Sequence, residues 1–462
     1  MGNSSSFNLR EIARKASQAA LGSVRPEYLV AENVSRKGTI LTIGGQKLEL
    51  NNFEKINLIS FGKSGPMLAE GLIPMIEDRL NLGLVTGSAS YEEKERIFYY
   101  PTSHPLPDRW SLEAGEKAYE LALSSGEKDL LLVLISGGGS AHLCLPQRGL
   151  SLEEKRTLTE MLLKAGADIK ELNTIRKHIS RIKGGRLARA AWPAKIVNLI
   201  VSDVIGNDLE NIASAPTWFD STTYGQAITV LEKYGLMEIC PLGIKQVLRE
   251  GQEGLREETL KKGDRVLSQV SSIIIGDNLK AIYAAKETVR QFGLETVVLS
   301  SEDCGEARQT ARDYILRMLE FGPKVLEQKR AFCLLAGGEL TVTVKGVGLG
   351  GRNTEFVLAC LVEVIKRPSA FQGFDWLIMS LATDGRDGPT DSAGAWISPE
   401  ILETLRLKNI SPEKYLENND SYHFFREVGR LLMTGPTGTN VMDLRMFFLA
   451  PREKADKIRG LI

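Results

Sequence analysis

Two glycine-containing stretches, each directly after an apolar run, carry the residue types that bind anions. The first is the stretch FGKSG at 61–65, and the second is Ser136, Gly137, Gly138, Gly139 and Ser140. Backbone N–H groups at a strand-to-helix turn attract phosphate or carboxylate, and Lys63 adds a point charge there. For the first stretch the alternative is a tight turn with a surface lysine, and for the second it is a flexible loop. Ordering three consecutive glycines costs backbone entropy, which makes the flexible loop the less favoured interpretation. We predict a nucleotide-phosphate site at this second stretch.

Acidic residues follow another apolar run, at 195–201. Asp203 and Asp208 lie in the stretch SDVIGND. Mg²⁺ favours one or two carboxylates together with phosphate oxygens, so both residues are candidate metal ligands. The alternative is that each closes an Asx turn or caps a helix.

A basic stretch at 173–186, NTIRKHISRIKGGR, includes Lys177 and His178. A run of cations is usually a solvated helix face. Here a pair of glycines interrupts the run. The second interpretation is therefore that the stretch forms a basic arm over an anionic substrate. For His178 a structural role is favoured over that of a general base.

Three further candidate stretches lie in the second half of the chain. The motif GGRN at 350–353 opens a predicted helix with Arg352, whose planar fork suits phosphate or carboxylate. The stretch TDGRDGPTD at 383–391 follows an apolar strand. Its first acidic residue, directly after Thr383, is Asp384. The stretch TGPTGTN at 434–440 offers short polar side chains, including Thr437 and Asn440, that suit a polyol or a phosphate.

The elements that must position these residues alternate between buried strands and amphipathic helices. The predicted strands are 57–61, 129–135, 195–201, 272–275, 296–299, 331–335, 376–382 and 444–449. The predicted helices are 65–79, 112–124, 152–165, 278–292, 306–321 and 354–364. This alternation predicts an α/β fold with mostly parallel sheets. A charged, glycine-rich stretch at 246–265 suggests two domains, at 1–245 and 246–462.

Composition excludes several classes of protein. The 462 residues carry 58 basic and 58 acidic side chains, so a general nucleic-acid or membrane-surface binder is disfavoured. The longest apolar run, 130–135, is far shorter than the roughly 20 residues of a membrane span. Five scattered cysteines indicate neither a disulfide framework nor a structural zinc site, and we expect a cytoplasmic location. Gly2 and Ser6 match a myristoylation pattern, which we attribute to coincidence.

Taken together, the motifs resemble the class II glycerate kinases of the MOFRL type. The stretches that carry the resemblance run in order from about residue 8 to about residue 450: FGKSG, PTSHPLPD, SGGGSA, NTIRKHISRIKGGRLA, SDVIGNDLENIAS, GGELTVTV, GGRNTEF, TDGRDGPTD and TGPTGTNVMDL. The resemblance implies two α/β domains with an active-site cleft between them. It also implies ATP-dependent phosphorylation of D-glycerate at the 2-hydroxyl, with Mg²⁺. His142, Asn207 and Ala215 depart from the usual family pattern.

The resemblance also assigns roles to individual residues. Lys63 and Arg352 match the family's catalytic lysine and arginine, and Asp203 is our first candidate to accept the hydroxyl proton, ahead of Asp384. Substrate contacts are expected at Ser64, Lys177, Asn353, Asp384, Thr437 and Asn440. Partners are then the small molecules D-glycerate and ATP, with a homodimer left open. Two other functions stay in view: an NAD(P)H-dependent hydroxypyruvate reductase, whose usual GxGxxG motif is missing after the first strand, and a non-catalytic sugar-acid binding protein.

Overall fold

The structure is a computed structural model that describes residues 8–452. The Gly2 and Ser6 pattern therefore lies outside the described residues. Contacts divide the chain into two compact units. Unit A is Pro26–Asp277. Unit B combines the described residues 8–25 and 278–452.

The bounds of the regular elements are as follows. The helices are α1 (Leu9–Ser23), α2 (Pro26–Asn33), α3 (Gly65–Leu72), α4 (Arg109–Leu123), α5 (Gly139–His142), α6 (Leu152–Lys164), α7 (Ile169–His178), α8 (Arg186–Ala191), α9 (Tyr224–Lys233), α10 (Leu242–Gln252), α11 (Asn278–Gln291), α12 (Ala307–Glu320), α13 (Gly322–Gln328), α14 (Arg352–Ile365), α15 (Glu400–Lys408), α16 (Pro412–Glu417) and α17 (Ser421–Glu427). The strands are β1 (Val34–Lys37), β2 (Ile40–Ile43), β3 (Gln46–Glu49), β4 (Lys55–Phe61), β5 (Leu80–Thr86), β6 (Glu92–Lys94), β7 (Ile97–Tyr100), β8 (Asp129–Ile135), β9 (Lys195–Val201), β10 (Val270–Gly276), β11 (Glu295–Asp303), β12 (Phe332–Gly338), β13 (Phe374–Ala382), β14 (Gly394–Ile397), β15 (Leu431–Leu432) and β16 (Asp443–Pro451).

Unit A is built on a seven-stranded sheet with the order β10-β9-β8-β4-β5-β7-β6. Its strands are parallel except for β6, which runs antiparallel to β7. Every residue of β8 is buried, as expected for a central parallel strand covered on both faces. A small antiparallel sheet, β1-β2-β3, and a helical cluster around Leu158, Leu172 and Tyr224 complete the unit.

Unit B contains a six-stranded sheet with the order β11-β12-β16-β13-β14-β15. Only β11 and β12 are parallel to each other, and the remaining neighbours pair antiparallel. Strand β16, from the end of the described chain, is inserted between β12 and β13. The expectation of mostly parallel sheets therefore describes unit A, whereas unit B is mainly antiparallel.

The α/β fold class and the presence of two units are confirmed, but the units do not divide at residue 245. Strand β10 pairs with β9, so the chain up to Asp277 belongs to the sheet of unit A. Helix α1 packs against α11, which places the beginning of the chain in unit B. The charged stretch at 246–265 is thus the end of helix α10 and a loop that inserts Leu260 into the core of unit A, rather than a boundary.

Among residues 8–452, none of the helices combines the length and the apolar character that a bilayer crossing requires.

Candidate active site

The motifs of unit A meet at one edge of its sheet because β4, β8 and β9 are adjacent parallel strands. Phe61 at the end of β4 pairs with Ile135 at the end of β8, and Ile135 pairs with Ile200 of β9. The loops that begin at Gly62, Ser136 and Ser202 therefore leave the sheet side by side. The carboxyl ends of parallel strands are where open α/β sheets bind ligands.

Two hydrogen bonds from backbone N–H groups hold the two glycine loops together. The Lys63 N–H donates to Gly137 O at 2.8 Å, and the Ser64 N–H donates to Ser136 Oγ at 3.0 Å. Gly62 has a φ of +108°, and a Cβ there would collide with the carbonyl oxygen of Ser136. Only glycine meets both conditions. This contact fixes the position of Lys63, whose side chain is exposed, relative to the second loop.

The second loop presents backbone N–H groups that have no acceptor in the described part of the chain. Among the loop's N–H groups, that of Gly139 bonds to Ser136 O, whereas those of Gly137, Gly138 and Ser140 find no partner there. Gly138 has a φ of +76°, and a Cβ at this position would lie 2.8 Å from His104 Cδ2 and 3.3 Å from Lys63 Cγ. Successive unpaired N–H groups around a left-handed glycine form a concave anion site. The geometry therefore suits the phosphate site predicted from the sequence.

A chain of side-chain hydrogen bonds anchors the far end of this loop. Ser140 Oγ lies 2.7 Å from Ser214 Oγ, which donates to Asn173 Oδ1 at 3.1 Å. Residues 213–215 are all non-glycine residues with φ between +51° and +60°. Left-handed backbone at three consecutive residues is strained and is typically retained at functional sites.

A stacked pair of histidines borders the same loop. His142 Nδ1 lies 2.7 Å from Thr102 Oγ1, and its ring stacks on that of His104 with 6.0 Å between centroids. Burial, reinforced by His104 and Lys63, lowers the pKa of His142 to about 4. His142 is therefore neutral at physiological pH and adds no charge to the site.

The two predicted metal ligands differ in their surroundings. The carboxylate of Asp208 is occupied within its own turn, where it accepts from the Glu210 N–H at 3.0 Å and from Asn211 Nδ2 at 2.6 Å. Asp208 therefore closes an Asx turn, which was the alternative to a role as metal ligand. Asp203 is the second residue after β9 and is partly buried, in a loop that leaves the sheet next to the loop that begins at Ser136. In the described residues, no group of three or more His, Cys, Asp or Glu side chains could hold a metal ion.

Cationic side chains of the basic stretch at 173–186 are buried inside unit A. Lys177 is buried and its Nζ donates to Asp220 Oδ1 at 2.6 Å. Arg186 is also buried, and it donates to Lys177 O and to the Tyr224 hydroxyl. Because these cations form hydrogen bonds inside the unit, they belong neither to a solvated helix face nor to a basic arm over a substrate. The ammonium of Lys177, predicted to contact substrate, is buried and paired with Asp220.

In unit B, Arg352 and Asn353 come together at Asp443, the first residue of β16. Arg352 forms a paired interaction with Asp443 and places Nη1 2.8 Å from Glu339 Oε1. Asn353 Nδ2 donates to Asp443 Oδ1 at 3.0 Å. Asp387 caps helix α14 by accepting from the backbone N–H groups of Asn353 and Thr354. Burial raises the pKa of Asp387 despite these bonds.

The remaining predicted residues of unit B lie at the same end of its sheet. Asp443 pairs with Ala382 at the end of β13, so the loop that contains Asp384 begins beside it. The Thr437 N–H donates to Asp384 O at 3.4 Å, and Thr437 Oγ1 donates to Thr383 O at 2.6 Å. Asn440 Oδ1 accepts from the Met442 N–H at 3.1 Å. Unit B thus gathers the five residues predicted for it: Arg352, Asn353, Asp384, Thr437 and Asn440.

Three residues of unit A belong to the network around the loop without a role assigned from the sequence: Asn173, Lys183 and Ser214. Each lies in one of the sequence motifs quoted above, but the motif alone does not show which of its side chains faces the loop. Lys183 is the clearest case, because its ammonium donates to Gly139 O from a fully buried position.

Comparison with known proteins agrees with this geometry. Residues 12–249 match the model of a domain of unknown function (DUF4147), and residues 332–443 match the MOFRL family. The chain is 36% identical to the D-glycerate 2-kinase of Thermotoga maritima over 441 residues, which covers 95% of this chain and 97% of that protein. It is 36% identical to the glycerate kinase of Danio rerio, with 98% and 99% covered.

Solved structures show the same relationship. The crystal structure of glycerate kinase from Thermotoga maritima matches with a TM-score of 0.79 and 35% identity, covering 96% of this chain and 99% of that one. A Pyrococcus horikoshii crystal structure also matches with a TM-score of 0.79, at 33% identity, covering 97% of this chain and 100% of that one. With the family motifs in place in both units, the chain belongs to the class II, MOFRL-type glycerate kinases.

Proposed function

We propose that this protein transfers the γ-phosphoryl group of ATP to the 2-hydroxyl of D-glycerate, giving 2-phosphoglycerate and ADP. The observation that carries the proposal is the position of Lys63 beside three N–H groups of the loop Ser136–Ser140 that have no acceptor within residues 8–452, in a chain of the glycerate kinase family. Phosphoryl transfer depends on positioning and on neutralising charge, and this loop and lysine supply both.

Each part of the site has a proposed role in the reaction. The loop Ser136–Ser140 receives the nucleotide phosphates, and the ammonium of Lys63 offsets charge on the transferring group. The glycerate oxygen forms a bond to the γ-phosphorus while the bond from that phosphorus to the ADP oxygen breaks. The hydroxyl proton passes to a carboxylate, for which Asp203 is the first candidate and Asp384 the second.

Substrate binding is proposed for Ser64 and for the cluster of unit B. Arg352 offers a planar fork for the glycerate carboxylate or the phosphoryl group. Asp384, Thr437 and Asn440 lie at the same end of the sheet and offer short polar groups that suit hydroxyl and carboxylate oxygens. Asn353 is buried and its side-chain amide is bonded to Asp387, Asp443 and Ser380, so its proposed role is to position Asp443. Lys177 is left out of this set because its charge is paired with Asp220.

Mg²⁺ is proposed to arrive with ATP rather than to reside in a protein cage. Asp203 supplies one carboxylate at the strand edge, and the oxygens of Asp208 are already hydrogen-bonded. Mg²⁺ commonly uses one or two carboxylates with substrate phosphates, so this donor set fits a phosphate-bound ion. The ion would add positive charge at the phosphates when bound.

The test is an enolase-coupled assay with ATP, Mg²⁺ and D-glycerate. Direct coupling without phosphoglycerate mutase detects 2-phosphoglycerate, and we expect a signal in that arm. A signal that needs added mutase would identify the 3-isomer and overturn the proposed position of transfer. A parallel arm with NADH and hydroxypyruvate tests the reductase alternative, which the names of the related proteins do not favour.

The proposed location is the cytoplasm, where ATP is available. All five cysteines are free, and four of them are buried, which suits a reducing compartment. A homodimer stays a prediction.

A further inference from the structure

Lys183 lies beneath the loop Ser136–Ser140, in a position that no ligand can reach directly. Its exposed fraction is 1%, and its Nζ donates to Gly139 O at 3.1 Å. The same Nζ lies 5.5 Å from the centroid of the Phe61 ring, at the end of the strand that leads to Lys63. The ammonium therefore contacts both structures that form the proposed phosphate site.

No carboxylate of the described residues is among the groups that act on the charge of Lys183. These groups are Lys155 of α6, Arg176 of α7, Cys144 and, from α5, His142. Burial, followed by Lys155, lowers the pKa of Lys183 to about 7. Burial, Lys155 and Arg176 outweigh the thiol of Cys144, which acts to raise this pKa. A buried ammonium that no carboxylate compensates is unfavourable, so Lys183 is expected to be partly neutral near pH 7.

The peptide group that joins Gly139 to Ser140 connects Lys183 to the proposed ligand. Its carbonyl oxygen accepts from Lys183, and its N–H, on Ser140, is one of the three that lack an acceptor in the described residues. Hydrogen bonds arranged in series polarise one another. A positive charge on Lys183 strengthens the Ser140 N–H as a donor, and an anion on that N–H favours the charged lysine.

We propose that Lys183 is a positioning residue for nucleotide binding, which holds the Gly139–Ser140 peptide towards the phosphate and takes up a proton as that phosphate binds. This inference rests on the proposed function, in which ATP occupies the loop. The proton comes from the solvent and is released again when the nucleotide leaves.

The direction of the pH dependence follows from this linkage. A bound phosphate favours the charged form of Lys183 and raises its pKa above about 7. Binding therefore takes up protons and weakens as pH rises. For one coupled proton, the dissociation constant of ATP should increase by roughly fivefold between about pH 7 and pH 8.

The experiment measures ATP binding to the full-length protein by calorimetry, without glycerate, across this pH range and in buffers of different ionisation enthalpy. The variants are Lys183→Met, Lys183→Arg and, as a matched loss of charge at an exposed site of the same unit, Lys170→Met. Protonation of ATP itself affects all of them equally. Wild type and Lys170→Met should show the same rise in dissociation constant and the same proton uptake.

Lys183→Met should bind about tenfold more weakly at neutral pH and lose the extra proton uptake, because the polarising charge is absent. Lys183→Arg, if folded, should also lose the pH dependence while it keeps the affinity, since arginine stays charged. Equal proton uptake in wild type and Lys183→Met would overturn the inference, and wild-type calorimetry tests it even if both variants fail to fold. Gly138→Val separates it from the proposed function. If that variant binds ATP normally, the loop is not the nucleotide site, and the inference falls together with the proposed place of ATP, whereas the phosphorylation itself is tested by the enolase-coupled assay.

Discussion

Arg352 and Asp443 face each other through two parallel hydrogen bonds, from Nε to Oδ2 at 2.7 Å and from Nη2 to Oδ1 at 3.0 Å. Asp443 is fully buried, and Arg445, also fully buried, lies 3.6 Å from the same carboxylate. This side-on pairing fixes the plane of the Arg352 guanidinium. The Nη1 atom of Arg352 also lies 2.8 Å from Glu339 Oε1, so the guanidinium is held between two carboxylates.

We expect Arg352→Lys to lower kcat almost as far as Arg352→Ala. An ammonium supplies charge but cannot bind Asp443 side-on and a ligand at the same time. The loss of one positioned donor should cost on the order of 10² to 10³ in rate. Steady-state kinetics of both variants check this, with the exposed Arg317→Lys as control. Lysine activity within a few-fold of wild type would show that Arg352 acts only as a point charge.

Asp443→Asn should lower both stability and turnover. The amide keeps the shape of the side chain but leaves two arginines without their shared carboxylate, which for a buried pair costs about 3–5 kcal/mol. Urea unfolding measures the free energy of unfolding. Asp375→Asn is the matched control, since it breaks an exposed pair with Arg452 and should cost no more than about 1 kcal/mol. Equal effects of the two substitutions would contradict a central role for Asp443.

Lys63→Ala should lose most turnover and keep its stability. The side chain is exposed at a strand-to-helix corner, so its removal leaves no cavity. The loss of one positioned charge from a phosphoryl-transfer site should cost about 10² to 10³ in kcat. Lys55→Ala, exposed at the opposite end of the same strand, serves as control for a general loss of charge. Near-normal kcat in a folded Lys63→Ala protein would remove Lys63 from the mechanism.

Gly138→Val should weaken ATP binding more than glycerate binding. The substitution strains a residue with a φ of +76° and places a Cβ 2.8 Å from His104 Cδ2, inside the proposed phosphate site. Gly149→Val shares the positive φ, at +87°, but its Cβ meets nothing within 4 Å. The control therefore reports backbone strain alone. Calorimetric ATP affinities that are equal for the two variants would argue against a nucleotide at this loop.

Lys177→Met should destabilise the protein by about 3–5 kcal/mol, because it leaves Asp220 buried without its cation. The double variant Lys177→Met/Asp220→Asn should recover much of that loss, which denaturant midpoints will show. A stable Lys177→Met protein with a raised KM for glycerate would instead restore Lys177 as a substrate ligand.

The same ion pair predicts a loss of stability in acid. Burial acts to raise the pKa of Asp220, but the charge and hydrogen bond of Lys177 outweigh it and the pKa is lowered. A lowered pKa means that the stabilisation is present above the unfolded-state value of about 3.9 and is lost as pH falls through the folded-state value. Wild type should therefore lose this contribution below about pH 4, whereas the double variant should not.

The sequence by itself determined the fold class, the family and the strands that lead into the candidate loops of unit A. The apolar runs at 129–135 and 195–201 coincide with β8 and β9, and a loop at the carboxyl end of a parallel strand has only one edge to occupy. The local sequence pattern is sufficient to predict these two strands, because a strand buried on both faces needs continuous apolar residues whichever strands it pairs with.

Only the tertiary structure decided which polar groups pair with one another. Lys177 meets Asp220 across 43 residues and Arg352 meets Asp443 across 91, and nothing in the spacing of these residues marks them as partners. The antiparallel insertion of β16 and the division of the units at Arg25 and Asn278 are decided in the same way. Periodicity reports whether a side chain is buried, but the group it meets depends on the register and packing of elements distant in the chain.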